Sequence, residues 1–254
     1  MTIEPQADDP PRRPNPPAIN VPFVVLATIV VLALVHVVRM QVLTETQDIW
    51  TLLNFSMIPD CYRSADDVCV LREPWANVVS PLSHAFLHGD WTHFLTNAVW
   101  LLAFGTPVAR RIGTGRFLIF CALGAAAGAL LFDLLNPSLL QPMIGASGVV
   151  SALMGAAARF ALSGGAQRWG EPAYVPRLTL RESLTDRTVL FFIVIFFVTN
   201  VAMGSGAAFL LGEGGAIAWE AHVGGFLFGL LAFDLFDRAP RPDRFEAEDA
   251  RLRP

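Results

Sequence analysis

Four polar side chains stand where polar side chains are expensive. Ser147, His222, His93 and Asn97 each fall inside or at the start of an apolar run. Polar and ionisable groups within membrane-spanning helices are costly, and by default they mark function. Ser151, His36 and Asp133 share this property. A Ser hydroxyl within hydrogen-bond reach of a His is the pattern of an activated nucleophile. Gly145-Ala146-Ser147-Gly148 opens a predicted helix directly after a Pro-containing loop. The free N–H groups and positive dipole end of a helix start favour a developing oxyanion. The glycines let a substrate backbone come close. His93 and Asn97, four apart, can donate further hydrogen bonds to the same oxygen.

The elements that must position these groups are apolar helices. Of the 254 residues, 54% are hydrophobic and 16% charged, whereas soluble domains carry nearer a quarter charged. The net charge of −4 gives no reason to expect a nucleic-acid partner. A spanning helix needs roughly 20 mainly apolar residues, at about 1.5 Å each across about 30 Å of hydrocarbon. Six segments come close, at about 22–39, 91–110, 116–135, 146–162, 188–203 and 218–236. Asn20 can cap the first, with Pro22 in its first turn. Asn136-Pro137 stops the third and Gly164-Gly165 the fourth. The fold class is therefore all-α, a polytopic membrane protein with a six-transmembrane-helix bundle over 21–237. The proline-rich stretch 1–20 cannot bury enough apolar surface to fold and is read as a disordered cytoplasmic tail. The charged stretch 238–254 is read the same way.

Arginine placement orients the bundle. All eighteen basic residues are Arg, a bias read as bacterial. With the N-terminus inside, all but Arg39, Arg63 and Arg72 lie on the cytoplasmic side. Both termini are therefore placed in the cytoplasm, and the long segment 41–90 outside. Cys61 and Cys69 lie in that outer loop. An oxidising compartment would let them join, and a reducing one would leave two thiols. Cys121, inside the third helix, is read as packing.

Topology makes the four polar residues converge. Helices two, four and six all run from outside to inside. His93 and Asn97 lie near the start of the second, Ser147 at the start of the fourth and His222 near the start of the sixth. All four reach one depth near the outer face. His222, Gly225 and Gly229 share one helical face, and Ser147, Ser151 and Gly155 share another. Small residues at such spacing let membrane helices approach closely. If the two stripes pack together, Ser147 and His222 meet at the top of the seam.

These residues match a family. Gly145-Ala146-Ser147-Gly148 resembles the G-x-S-G nucleophile motif of rhomboid intramembrane serine proteases. Ala221-His222-Val223-Gly224-Gly225 with Gly229 resembles their A-H-x-x-G-x-x-x-G motif. His93 to Asn97 resembles their H-x-x-x-N motif, and His84 and His88 match family histidines upstream. The resemblance covers about residues 75–237. It implies a Ser147–His222 dyad with no acidic third member. It also implies an oxyanion hole from the Ser147 N–H, His93 and Asn97, with no metal and no cofactor. The implied substrates are single-pass membrane proteins cut in or near the lipid bilayer, and the implied location is a bacterial inner membrane. The sequence departs from the pattern in three places. Ser151 stands where a Tyr often packs on the catalytic His, Ala76 follows Trp75 in place of an Arg, and Ala109 replaces an acid.

Two further features bear on access. The fourth helix is short and follows Pro142, so its start is expected to be recessed below the outer surface, under a wet cavity. The glycine-rich stretch 203–217 is read as a lid and the fifth helix as a side entrance. Glu220, two residues from His222, points elsewhere on a helix and is not promoted to a triad. Asp133 is expected to be solvated and His36 to pack. Zinc ligation by His84, His88 and His93 is a rival reading that no H-E-x-x-H supports. A catalytically inactive rhomboid-like protein that binds membrane clients is the other.

Overall fold

The computed structural model describes residues 21–65, 67–163, 175–204 and 218–237. The tails expected at 1–20 and 238–254, residues 205–217 of the expected lid, and Gly164-Gly165 lie outside the described residues. Among the described residues the fold is helical, and the only extended pairing is an isolated bridge between Met57 and Met143. The α-helices are α1 (Phe23–Gln41), α2 (Glu45–Phe55), α3 (Ala76–Ser83), α4 (Trp91–Ile112) and α5 (Thr114–Leu135). They continue as α6 (Ser147–Ala157), α7 (Leu180–Ser183), α8 (Arg187–Ala202) and α9 (Trp219–Ala232). Six of them, α1, α4, α5, α6, α8 and α9, fall on the six apolar segments. Two, α1 and α5, are long and apolar enough to cross a membrane by length and composition.

Local chemistry fixes the boundaries. Asp90 caps α4, its carboxylate accepting the His93 N–H at 2.8 Å. Gly113, at φ 77°, ends α4 and lets α5 begin at once. Asp186 caps α8 by accepting from the Thr188 and Val189 N–H groups. Pro22 occupies the N-cap of α1 rather than its first turn, and Asn20 lies outside the described residues. The α-helical part of the last segment stops at Ala232 and continues as a 3-10 turn over Phe233–Leu235.

The fourth apolar segment differs most from its sequence reading. Its α-helix ends at Ala157, not near 162, and at 11 residues it is only about 16 Å long. Nearly all of it is buried, from Gly148 to Ala157. Such a helix sits at the centre of the bundle, walled in by its neighbours. The chain turns away because Arg159, fully buried, is held elsewhere. Its guanidinium donates to the Leu178 and Leu230 carbonyls and to Asp234, the last at 2.7 Å. Beside it Arg111 pairs with Asp237 at 2.9 Å, both side chains 1% exposed. Arg177 contacts both Asp234 and Asp237. This cluster ties the ends of α4, α6 and α9 together at the end of the bundle opposite Ser147. Losing one partner of a buried pair typically costs about 3–5 kcal/mol.

The segment 41–90 is itself structured. Thr44 and Gln47 form a reciprocal capping box at the start of α2. The Tyr62 hydroxyl reaches Ser80 at 2.7 Å and donates to the Asn77 carbonyl, docking α3. Arg63 makes a two-pronged pair with Asp133 of α5 at 2.7 and 2.6 Å. Asp133 is therefore paired and buried, not solvated, because Arg63 arrives from 70 residues away. Cys61 and Cys69 form a disulfide. It closes a short loop, which in the chain-entropy model stabilises by about 2–3 kcal/mol. Reductant is thus expected to lower the thermal midpoint of the detergent-solubilised protein, and Cys61→Ser to remove that sensitivity. An unchanged midpoint would mean that the bridge constrains nothing.

Candidate functional site

The site is built where α6 and α9 touch. Among the described residues this is the most extensive contact between any two helices. A Cβ on Gly225 would lie 2.0 Å from the Gly148 carbonyl oxygen, and one on Gly229 would lie 1.9 Å from that of Ala152. A Cβ on Gly155 would lie 2.2 Å from the Phe226 carbonyl oxygen. Only bare backbone fits at these points. The glycine face expected on α9 is therefore the one that packs. On α6 the seam is Gly148, Ala152 and Gly155, one residue round from the expected Ser147, Ser151 and Gly155. A helix turns about 100° per residue, so Ser147 and Ser151 sit at the flank of the seam. Ser151 is buried there and Ser147 is half-buried.

A third helix closes the notch. The Ala221 carbonyl, immediately before His222, sits against Gly128 of α5 and Gly148 of α6. The sequence reading missed the contribution of α5. Gly124 and Gly128, four apart on one face of that helix, were the signal that could have revealed it.

Gly145 is the turning point of the loop that leads into Ser147. Its φ of 121° lies where L side chains are strained. A Cβ there would stand 2.6 Å from His93 Nε2 and 3.7 Å from Ser147 Oγ. His93 Nε2 and the Ser147 hydroxyl thus both border the space that a side chain on Gly145 would fill. The His93 tautomer follows from its other nitrogen, because the Gly89 N–H donates to Nδ1 at 3.4 Å. With Nδ1 accepting, Nε2 carries the proton and can donate towards an oxyanion beside Ser147. Asn97 is buried one turn further along, its Nδ2 donating to the His93 carbonyl at 3.0 Å. One of its two amide hydrogens is used there, which leaves the second for another acceptor.

The upstream histidines clamp the loop. The Gly145 N–H donates to the His84 carbonyl at 2.9 Å, and the Ala146 N–H to His88 Nε2 at 3.5 Å. His84 Nε2 faces the Ala125 carbonyl at 3.4 Å. The three rings put forward for zinc ligation are thus aimed at backbone groups, those of the loop before Ser147 among them. His36, fully buried, packs against the rings of Trp91, Phe94 and His88. Burial lowers His84 to about 4 and His88 to about 3. A His whose folded value is depressed stabilises the fold above its unfolded value of about 6.5. That contribution is lost as pH falls, since the unfolded chain takes up the protons first. The thermal midpoint is therefore expected to drop between pH 7 and pH 5, and less steeply in His88→Asn. A flat profile in the wild type would contradict these environments.

His222 is half-buried in the first turn of α9. Its Nδ1 is hydrogen-bonded at 2.6 Å to Asn200 Oδ1, near the end of α8. Sequence reading missed Asn200, although it is a polar residue at the end of a run of apolar ones. No Ser147–His222 hydrogen bond is formed among the described residues. Catalytic hydrogen bonds commonly tighten only around a substrate. Glu220 turns away and accepts from Asn136 Nδ2 at 3.1 Å. Among the described residues, a groove between α5 and α9 is lined by residues such as Leu130, Leu134, Leu227 and Leu231 and is apolar.

The described residues thus form an α-helical bundle with a half-buried serine at the start of a buried helix and with His93 and His222 on flanking helices. The chain belongs to the rhomboid family, whose rhomboid-domain model matches residues 75–237. It is 31% identical over 152 residues to the rhomboid protease GlpG of Serratia proteamaculans (strain 568), covering 59% of this chain and 45% of that protein. It is 32% identical over 155 residues to the rhomboid protease GlpG of Yersinia enterocolitica, with the same coverage of each. The chain thus spans less than half the length of the curated relatives it matches.

Proposed function

We propose that this protein is an intramembrane serine endopeptidase that cleaves membrane-protein segments through Ser147 and His222. The observation that carries this reading is the seam itself. Gly225 and Gly229 press α9 onto α6, so that the residues beside Ser147 and His222 are in backbone contact. In the proposed reaction His222 Nε2 takes the Ser147 proton as Oγ attacks the scissile carbonyl. The oxyanion is met by the Ser147 N–H, by His93 Nε2–H and by the remaining Asn97 Nδ2–H. His222 then hands its proton to the leaving amine. Water, activated by the same imidazole, releases the acyl group from Ser147.

The membrane setting belongs to the same proposal. Six spans are formed by α1, α4, α5, α8, α9 and the recessed α6, with both termini cytoplasmic and 41–90 outside. The Cys61–Cys69 disulfide supports that side as the oxidising one. The short, enclosed α6 supports a nucleophile below the membrane surface, where non-helical backbone such as the Gly145 loop is tolerated only inside protein. The proposed substrates are single-pass membrane proteins, admitted beside α8. That helix buries only Val189, Ile193 and Phe196 and leaves Phe191, Val194, Ile195 and Val198 outward.

The test is cleavage of a single-pass reporter in liposomes. Wild type should cut it and Ser147→Ala should not. Cutting by Ser147→Ala at the wild-type rate would exclude the assigned nucleophile. A cross-link between α8 and α4 should slow cleavage of the membrane reporter, and undiminished cleavage would remove α8 as the entrance.

A further inference from the structure

We propose that Asn200 is the positioning residue for His222, fixing its tautomer from a different helix than the one that carries the nucleophile. This rests on the reading of His222 as the base of Ser147.

Asn200 Nδ2 donates to the Phe196 carbonyl, one turn back on α8, at 2.7 Å. A carbonyl oxygen can only accept, so the NH2 must point there. The other side of the amide is therefore Oδ1, and it faces His222 Nδ1 at 2.6 Å. An amide oxygen cannot donate. The bond therefore requires a proton on Nδ1, and Nε2 is left with its lone pair. That is the tautomer a base for Ser147 needs. In serine proteases with a triad this task falls to an acidic residue on Nδ1. Here a neutral amide, whose orientation α8 itself dictates, does the same.

Asn200 also accounts for the place left by Ser151. Ser151 is buried on α6 and too small to stack on the imidazole. The ring is held instead by one short hydrogen bond from α8. It is thus oriented only while α8 is docked against α9.

Three variants test this. Asn200→Leu keeps the branched shape and removes the acceptor. Asn200→Asp keeps an acceptor towards Nδ1. Ser147→Ala provides a background without chemistry. The first measurement is nitrogen NMR of His222 in Ser147→Ala. The Nδ1–H form should predominate with Asn200 and give way to a mixture in Asn200→Leu. The second is steady-state cleavage. Asn200→Leu should lower kcat about 10- to 100-fold with KM little changed, as expected for a base in the wrong tautomer. Asn200→Asp should recover most of the loss. An unchanged tautomer in Asn200→Leu would overturn the proposal. So would equal impairment of the Leu and Asp variants, which a mere packing role would give. The NMR result does not depend on activity, so a wild type that never cleaves would count against the protease reading and leave this assignment standing.

Discussion

Gly225→Ala is expected to disrupt both the fold and the site, and Gly229→Ala to act similarly. The two glycines are where α9 lies on α6 with backbone against backbone. An added methyl would stand 2.0 Å from the Gly148 carbonyl oxygen or 1.9 Å from that of Ala152. Neither obstacle is a side-chain tip that can rotate away. The helices must separate by an ångström or more, which lengthens every other contact along the seam. Overpacking of this kind usually costs about 1–3 kcal/mol and sometimes more. A clash with rigid backbone belongs at the upper end. The separation also carries Ser147 and His222 apart, and a misplacement of about 1 Å can cost 100-fold in rate. The expected result is a lower midpoint of thermal unfolding in detergent and cleavage reduced at least about 100-fold. A Gly225→Ala protein of wild-type stability and rate would mean that the seam is looser than described.

The second large effect is expected at Gly145, and it should separate activity from stability. Gly145→Ala places a methyl 2.6 Å from His93 Nε2 and forces an L residue to φ 121°. The strain is local, of the order of 1–3 kcal/mol. Its chemical consequence is larger. The His93 ring must move, and in the proposed reaction its Nε2–H then leaves the oxyanion. Loss of one such donor costs about 100- to 1000-fold in kcat. The variant should still fold, bind a substrate with KM close to wild type, and turn it over about 100-fold more slowly or worse. His93→Ala should reproduce the rate defect without the strain, and the double variant should be little worse than either. Full activity in Gly145→Ala would remove His93 from the oxyanion site.

Much of this was legible in the sequence, for a physical reason. In a membrane helix, polar and small residues stand out against an apolar background. Ser147, His222, His93 and the glycines of α9 could therefore be picked out before any contact was known. The helix periodicity gave the face of α9 that packs. It gave the face of α6 only to within one residue, because a stripe of small side chains more than one residue wide does not mark its own centre. Pairings between distant segments were not legible. Arg63 finds Asp133 across 70 residues, Arg111 finds Asp237 across 126, and Asn200 finds His222 from another helix. Arg63 lies in the outer loop and Arg111 and Asn200 lie near helix ends, where water or lipid headgroups would satisfy them. Only the packing of the bundle distinguishes a partner from solvent. The early end of α6 was hidden for the same reason. Ala158, Phe160, Ala161 and Leu162 are apolar, and it is the grip on Arg159 from residues 178, 230 and 234 that turns the chain.

The central claim is that Ser147 is a nucleophile activated by His222. Its most direct measurement is labelling of the purified protein in liposomes with a fluorophosphonate probe, which reacts covalently only with an activated serine. The account expects stoichiometric labelling of wild type at Ser147, none in Ser147→Ala and a strongly slowed reaction in His222→Ala. A folded wild type that never labels, or one whose labelling survives in Ser147→Ala, would contradict it.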